Sequence, residues 1–403
     1  MLKDIEEGRE TKYRAQVLNV VYRSKYSPIA NPKLYFLRHS HFTTVDTVLR
    51  DNVHLISIED DVAKFVEVDA SVNLLDCRHY PLFSVALSEH VRKYIIIPRV
   101  DFDRLVSGIE DDDREVVWMF HTMRCGSTLW SQMFNLLPDW HVISESITLC
   151  YTVFHAREEC DLQKFSKTKC YEDIVVGWVK MYLQRYPKGH KVFWKGFPID
   201  HHIIPVLRKR FPNHRIVFAY RDALPSAKSY YTAFESIPLS VFGVKMLNMI
   251  SSLPPRSVSR HLWLWYTNGY NMELCFKTIR SVMPGTGFVE WYVLLWAATV
   301  SMMKEFSDAG IPIINIKYED LQADPKLQVS NLFRMLSIPQ EYVDRALQAM
   351  DQDSQAGMFL SLENRKKNKS WKRSDDSVER CNRILKAFNL PALDSSTNLA
   401  NNS

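Results

Sequence analysis

The chain has 403 residues, 46% apolar, 24% charged and 12% aromatic, with a formal net charge of +5. That composition fits one large globular domain or one and a half ordinary ones, and excludes a disordered or low-complexity protein. Lysine and arginine are scattered, not gathered into a stripe, so no nucleic-acid partner is expected; the mild positive balance suits anionic small molecules.

No uninterrupted apolar run approaches bilayer-spanning length, so no transmembrane segment is expected. The first ten residues are charged and lack the apolar core of a signal peptide. The seven cysteines (Cys77, Cys125, Cys150, Cys160, Cys170, Cys275 and Cys381) are odd in number and scattered. Their spacing fits no metal-ligand pattern, so no metal is expected and reduced thiols are the simplest account. Together these features point to a cytoplasmic protein. Two glycosylation triplets, at Asn368 and Asn401, would matter only in a secreted chain.

In chain order, residues 1–110 hold strand-like runs at Lys33–Leu37, Val53–Ile58, Lys64–Val68 and Tyr94–Pro98, separated by polar turns. They carry no chemical motif and form an N-terminal α/β extension of unassigned role. Asp111-Asp-Asp113 breaks the chain before a second unit spanning 111–393.

That unit opens on the stretch around which the rest is arranged. Glu115-Val-Val-Trp-Met-Phe-His121 is a short apolar run rich in β-branched and aromatic residues, expected to be a buried parallel strand. Thr122-Met-Arg-Cys-Gly126 turns, and a helix with Leu129, Met133, Phe134 and Leu137 on its apolar face begins at Ser127-Thr128. A strand that breaks at glycine and restarts as a helix presents free backbone N–H groups, backed by the helix dipole, to an anion. Arg124 adds a fixed charge, and Ser127 and Thr128 add hydroxyls. A triphosphate-binding loop would carry Gly-Lys-Ser/Thr at its end; here His121 stands at the first glycine position and Ser127 where the lysine belongs.

Pro138-Asp139 closes that helix, and Val142-Ile143 forms a short strand delivering Glu145 at its carboxyl end, where ligands sit in parallel α/β sheets. A helical stretch with Trp178, Val179 and Tyr182 on one face follows. His190–Lys195 is a third strand ending in a lysine, and Ile203–Phe211 is a helix. Arg215–Tyr220 is a fourth strand, ending at Arg221-Asp222; the helix from Pro225 carries Ser226, Ser229, Tyr230 and Tyr231. Arg221 and Ser229 therefore flank a second strand-to-helix turn able to hold a phosphate.

Residues 235–290 are aromatic and without clear periodicity, the pattern of loops over a site. Phe288–Phe306 is a helix, and Trp263, Trp265, Trp291 and Trp296 are expected to be core residues ahead of adenine-stacking ones. Ile311–Tyr318 is a fifth strand, Tyr318-Glu319-Asp320 its structural anchor, and Asp324-Pro325 starts a helix. A basic stretch, Arg365–Lys372, precedes an amphipathic helix at Val378–Phe388. The polar residues 394–403 are expected to be a disordered tail.

The expected fold is α/β: a P-loop-type doubly wound parallel sheet flanked by helices, with the N-terminal extension. Over residues 112–390 the ordered motifs resemble the sulfotransferase family, which uses 3'-phosphoadenosine-5'-phosphosulfate (PAPS) as co-substrate. Arg124-Cys-Gly-Ser-Thr-Leu129 resembles the family's 5'-phosphosulfate loop, and Arg221 with Ser229 its 3'-phosphate segment. Lys317-Tyr-Glu-Asp-Leu with Asp324-Pro325 resembles its last strand and helix. The arginine at the first loop position, and Glu145 at its spacing from Arg124, are closest to the tyrosylprotein and carbohydrate branches. Members of those branches are lumenal, which leaves the Golgi lumen as the alternative location should an anchor be missing from this chain.

The resemblance implies that Arg124, Cys125, Gly126, Ser127, Thr128 and Leu129 hold the 5'-phosphosulfate, and that Arg221 and Ser229 hold the 3'-phosphate, with Arg365 and Lys366 as further candidates. Lys195 would place charge near the leaving group, and Glu145 would take the proton of an acceptor hydroxyl on a small molecule, glycan or peptide. Two departures stand out. Phe197 occupies the position where cytosolic members carry a histidine base, and the Arg365–Trp371 tail lacks the family's glycine. A kinase on the same fold and a sulfotransferase-like nucleotide binder without turnover remain open alternatives.

Overall fold

A computed structural model describes residues 13–23, 35–74, 76, 79–111, 113–146, 148, 166–234, 270–282, 286–356, 361, 363, 366, 371–399 and 401. Two five-stranded sheets organise them. The first is antiparallel. It contains β1 (Ala15–Arg23), β2 (Tyr35–Thr43), β3 (Val53–Ile58) and β4 (Val62–Val68), then helix α1 (Phe83–His90), β5 (Val91–Pro98) and helix α2 (Arg99–Ser107). Its order is β2-β1-β5-β4-β3. Of these strands β1 is absent from the runs legible in the sequence, because Val20-Val21-Tyr22 blurs its alternation; α1 and α2 are likewise not among the expected elements.

The second sheet is parallel throughout, with the order β10-β9-β6-β8-β7. Its strands are β6 (Val116–His121), β7 (Trp140–Ser144), β8 (Lys191–Lys195), β9 (Arg215–Tyr220) and β10 (Ile314–Lys317), the five expected from the sequence. Between and after them come α3 (Ser127–Asn135), α4 (Lys169–Leu183), α5 (Ile204–Arg210), α6 (Ala223–Phe234), α7 (Met272–Ser281), α8 (Phe288–Asp308), α9 (Tyr318–Ala323), α10 (Pro325–Met335), α11 (Val343–Leu347) and α12 (Asp375–Ala387).

The apolar runs are continuous because both faces of this sheet are covered. Successive side chains of a strand point to opposite faces, so Val117 and Met119 join Phe134, Phe193, Val217 and Phe333 on the α3/α10 side. Trp118 and Phe120 join Trp194, Trp178 and the α8 residues on the other. In register on neighbouring strands, Trp118 and Trp194 stack at 4.3 Å, and Trp178 of α4 meets Trp194 edge-on at 4.8 Å. Trp291 and Trp296 are fully buried in the same core, as expected; Trp263 and Trp265 lie outside the described residues.

The two sheets share one core: Phe65, Ile95 and Phe102 belong to the same contiguous cluster as Trp118 and Trp178. Packing is tight at Gly177 of α4, where an added Cβ would lie 3.0 Å from the ring of Phe102. Polar ties reinforce it. Tyr182 Oη and Thr148 Oγ1 both donate to Leu55 O (3.2 and 2.7 Å), and Ser144 Oγ donates to Pro81 O (2.7 Å).

The C-terminal segment corrects an expectation. Residues 394–399 and 401 are not a disordered tail but lie across the ends of β9 and β10. Thr397 N–H donates to Asp222 Oδ1 (2.8 Å), Leu399 N–H to Tyr220 Oη (3.2 Å), and Asn401 Oδ1 accepts from Asn315 N–H (2.5 Å). A polar composition hides this because most of the contacts are hydrogen bonds, through the Thr397 and Leu399 amides and the Ser396 and Asn401 side chains, with Leu399 alone packing on the core.

Gly177→Leu is expected to overpack the α2–α4 contact and destabilise the fold by about 1–3 kcal/mol. Adding Phe102→Ala should restore part of the loss in thermal melts; no recovery would place the strain elsewhere.

Candidate active site

Strand β6 ends at His121, and the following loop turns through left-handed backbone at Met123 (φ 58°), Arg124 (φ 52°) and Gly126 (φ 80°). Glycine adopts this conformation freely, but the other two residues are strained there. Neighbours hold the loop in place. Thr122 N–H and the Cys125 thiol both donate to Ala219 O (3.1 and 3.2 Å). The Tyr292 phenol donates to the carbonyls of Thr122 and Met123 (2.9 and 3.1 Å) and lies 2.5 Å from Ser226 Oγ. With its carbonyls tied inward, the turn presents the start of α3, whose first N–H groups have no helical partner. A Cβ on Gly126 would fall 2.7 Å from the Tyr318 ring, so no other residue fits without displacing that ring.

On one side of this turn the expected cations converge. Arg124 Nε donates to Ser229 Oγ (3.1 Å) and its Nη1 to Gln355 Oε1 (3.3 Å). Arg221 stacks on the Tyr318 ring at 4.5 Å, and its Nη1 lies 3.5 Å from Arg124 O. Its Nε is buried and has no hydrogen-bond partner among the described residues; Glu319 Oε1 lies 3.7 Å away. The groups expected to hold the 5' and 3' ends of a nucleotide therefore meet at one point, Arg124 with Ser229.

On the other side, Lys195 is 1% exposed and reaches Glu145 Oε1 at 2.6 Å and Thr128 Oγ1 at 3.0 Å. Those two partners hold its ammonium in place. Glu145 sits just past β7 at a left-handed φ of 56°, fixed by its N–H to Lys195 O (2.9 Å). Strained backbone of this kind clusters at functional sites.

His121 joins the two sides. Its Nδ1 accepts from Met123 N–H (3.1 Å), which places the proton on Nε2, 3.1 Å from Gly196 O and 3.8 Å from Glu145 Oε1. Burial and the Lys195 charge hold this imidazole well below its ordinary range, so it stays neutral. Asp200, fully buried and accepting from Phe197 N–H (2.6 Å), is driven the other way. Burial raises its carboxyl well above the usual range, with Glu145 adding to the effect.

Two of the expected ligands turn their side chains away from the loop. The Cys125 thiol is turned into the core against Ala219 O, where burial pushes it up. The Leu129 side chain packs against the apolar cluster beneath α3, and its N–H is taken by Gly126 O (2.9 Å); neither residue offers a side chain to an anion. Lys366 is exposed, and Arg365 lies outside the described residues. Among the described residues there is no cluster of three or more metal-ligating side chains, and no helix is long and apolar enough to cross a membrane.

His121, Tyr292 and Gln355 are parts of the site that the sequence pattern does not single out, and Tyr318 has more than the anchoring role expected of it. The position of His121 at the β6 terminus was a usable signal; the others arrive from distant segments and had none.

No protein-family model matches the chain, and no curated protein shows detectable similarity to it. Among solved structures it is similar to a sulfotransferase domain from the curacin biosynthetic pathway, at 13% identity over 70% of this chain and 99% of that one (TM-score 0.36). It is similar also to a sulfotransferase from Mycobacterium avium, at 11% identity over 73% and 81% (TM-score 0.40). A third, from Mycobacterium tuberculosis H37Rv, shares 11% identity over 62% and 73% (TM-score 0.30).

The depressed histidines set a pH dependence. His54 and His121 resist protonation when folded, whereas in the unfolded chain each takes a proton below about 6.5. Their contribution is therefore full above that value and lost as pH falls toward the depressed folded values. Asp200 acts oppositely, favouring the fold at low pH and losing that contribution as pH rises through its raised value. Thermal stability is expected to fall from pH 7 to pH 5, and His121→Gln to flatten that decline; an unchanged decline would show that His121 does not carry it.

Proposed function

We propose that this chain transfers a sulfuryl group from PAPS to the hydroxyl or amine of an acceptor. The observation that carries the reading is the convergence of Arg124, Arg221 and Ser229 on one side of the Gly126 turn and Thr128, Lys195 and Glu145 on the other. The residues fit an anionic nucleotide on two counts: the buried Arg221 Nε lacks a hydrogen-bond partner among the described residues, and the turn at Gly126 has no room for a Cβ.

When bound, PAPS supplies a sulfuryl group carried on a phosphate leaving group. The protein's part in such a transfer is positioning and electrostatics, as in phosphoryl transfer. The amides of the Gly126 turn, with Ser127 and Thr128, would hold the 5' end, and Lys195 would face the charge that develops on the departing phosphate. Arg221 and Ser229 would hold the 3'-phosphate. Because Arg124 already touches Ser229, its guanidinium spans both ends. Glu145 would take the acceptor's proton, and its contact with Lys195 fixes the carboxylate that does so. Neutral His121 cannot compete for that proton, since its Nδ1 is already filled by Met123 N–H.

The kinase alternative is weakened by Ser127, which stands where a triphosphate-binding lysine would be. Calorimetry should show micromolar binding of 3',5'-adenosine bisphosphate and none of ATP with magnesium; the reverse would favour the kinase. Arg221→Ala should weaken the bisphosphate by about tenfold or more while sparing adenosine 5'-monophosphate, as loss of a charged hydrogen bond implies. Equal losses would remove the 3'-phosphate role. Glu145→Gln should lower turnover by about 10²–10⁴-fold with bisphosphate binding retained, and full turnover would reject it as the base.

A further inference from the structure

The C-terminal segment touches the Arg221 turn through Asp222. Asp222 Oδ1 accepts from Thr397 N–H (2.8 Å) and pairs with Lys317 Nζ (3.0 Å), while Lys317 Nζ also reaches Ser396 Oγ (2.5 Å). Lys317 and Thr397 are both buried, at 9% and 4% exposure, so this is an enclosed network, where an unmade bond is expensive. Asp222 N–H lies 3.3 Å from Glu319 Oε1, the carboxylate oxygen nearest Arg221 Nε. Trp296 Nε1 fixes the other side of the same turn by donating to Arg221 O (2.9 Å). The Arg221 backbone is therefore set by three bodies: α8 through Trp296, α9 through Glu319, and the C-terminal segment through Asp222.

From this we propose that residues 396–399 form a strap that positions Arg221 for the 3'-phosphate, making the C-terminal segment a working part of the donor site. The strap's role rests on the assignment of Arg221 to the donor's 3'-phosphate. Thr397 acts through Asp222 and is a positioning residue, not a ligand. Binding and strap closure are then linked. A nucleotide that engages Arg221 stabilises the docked strap, and the docked strap strengthens that nucleotide by the same factor.

The test uses the full chain with 3',5'-adenosine bisphosphate and adenosine 5'-monophosphate. Thr397→Pro removes the N–H donor to Asp222, whereas Thr397→Ala keeps it. Thr397→Pro is expected to weaken the bisphosphate by about five- to tenfold, the scale of one ordinary intramolecular hydrogen bond, and to leave the monophosphate unchanged. Thr397→Ala should behave as wild type. Equal weakening of both nucleotides, or none, would overturn the strap. A second measurement needs no variant: hydrogen exchange at the Thr397 and Leu399 amides of the wild-type chain should slow when the bisphosphate binds but not when the monophosphate does. Unchanged exchange would also overturn it. A wild-type chain that does not prefer the bisphosphate would instead sink the donor reading, and the strap with it.

Discussion

The loop from Thr122 to Gly126 is the constraint on which the rest of the site depends. Two non-glycine residues, Met123 and Arg124, are held in left-handed backbone, at a cost of order 1–3 kcal/mol each. Such strain persists only where surroundings over-determine it. Here β9 supplies Ala219 O, α8 supplies the Tyr292 phenol, α6 supplies Ser226 and β6 supplies His121. These contacts draw the loop carbonyls and the Met123 amide inward and leave the start of α3 to face outward. The same strain aims Arg124 at Ser229 and away from the Lys195–Glu145 pair.

Charge is partitioned accordingly. The cations of the site lie in two groups, Arg124 with Arg221 and Lys195 alone, with the glycine turn between them. Lys195 is enclosed, and an enclosed charge needs partners to be tolerated; Glu145 and Thr128 provide them. Arg221 is held by stacking on Tyr318, a contact that satisfies the face of its guanidinium. Tyr318 thus has two roles, since its ring also closes against Gly126.

Much of this is legible in the sequence because parallel strands covered on both faces read as continuous apolar runs. All five strands of the second sheet, and the carboxyl-end positions of Glu145, Lys195 and Arg221, follow from that signal alone. What escapes has a common cause: it depends on contacts between segments distant in the chain. Tyr292 meets Met123 across 169 positions, and Gln355 meets Arg124 across 231; no local pattern marks either. The loop motif points Leu129 and Cys125 at the anion, yet the helical phase of one and the inward turn of the other send them to the core. Composition misleads over residues 394–399 because it is silent on backbone donors captured by Asp222 and Tyr220.

The antiparallel sheet, which carries no motif, has a mechanical place in the same scheme. Two adjacent residues leading into α1, Pro81 and Leu82, touch opposite walls of the site. Pro81 O takes the hydroxyl of Ser144, the residue before Glu145, and Leu82 packs against Ala233 beside Val85 and Phe234 at the end of the helix that bears Ser229. With one core beneath both sheets, this turn ties the strand presenting the carboxylate to the helix presenting the hydroxyl. The spacing between the two halves of the site is therefore set partly from outside the parallel sheet.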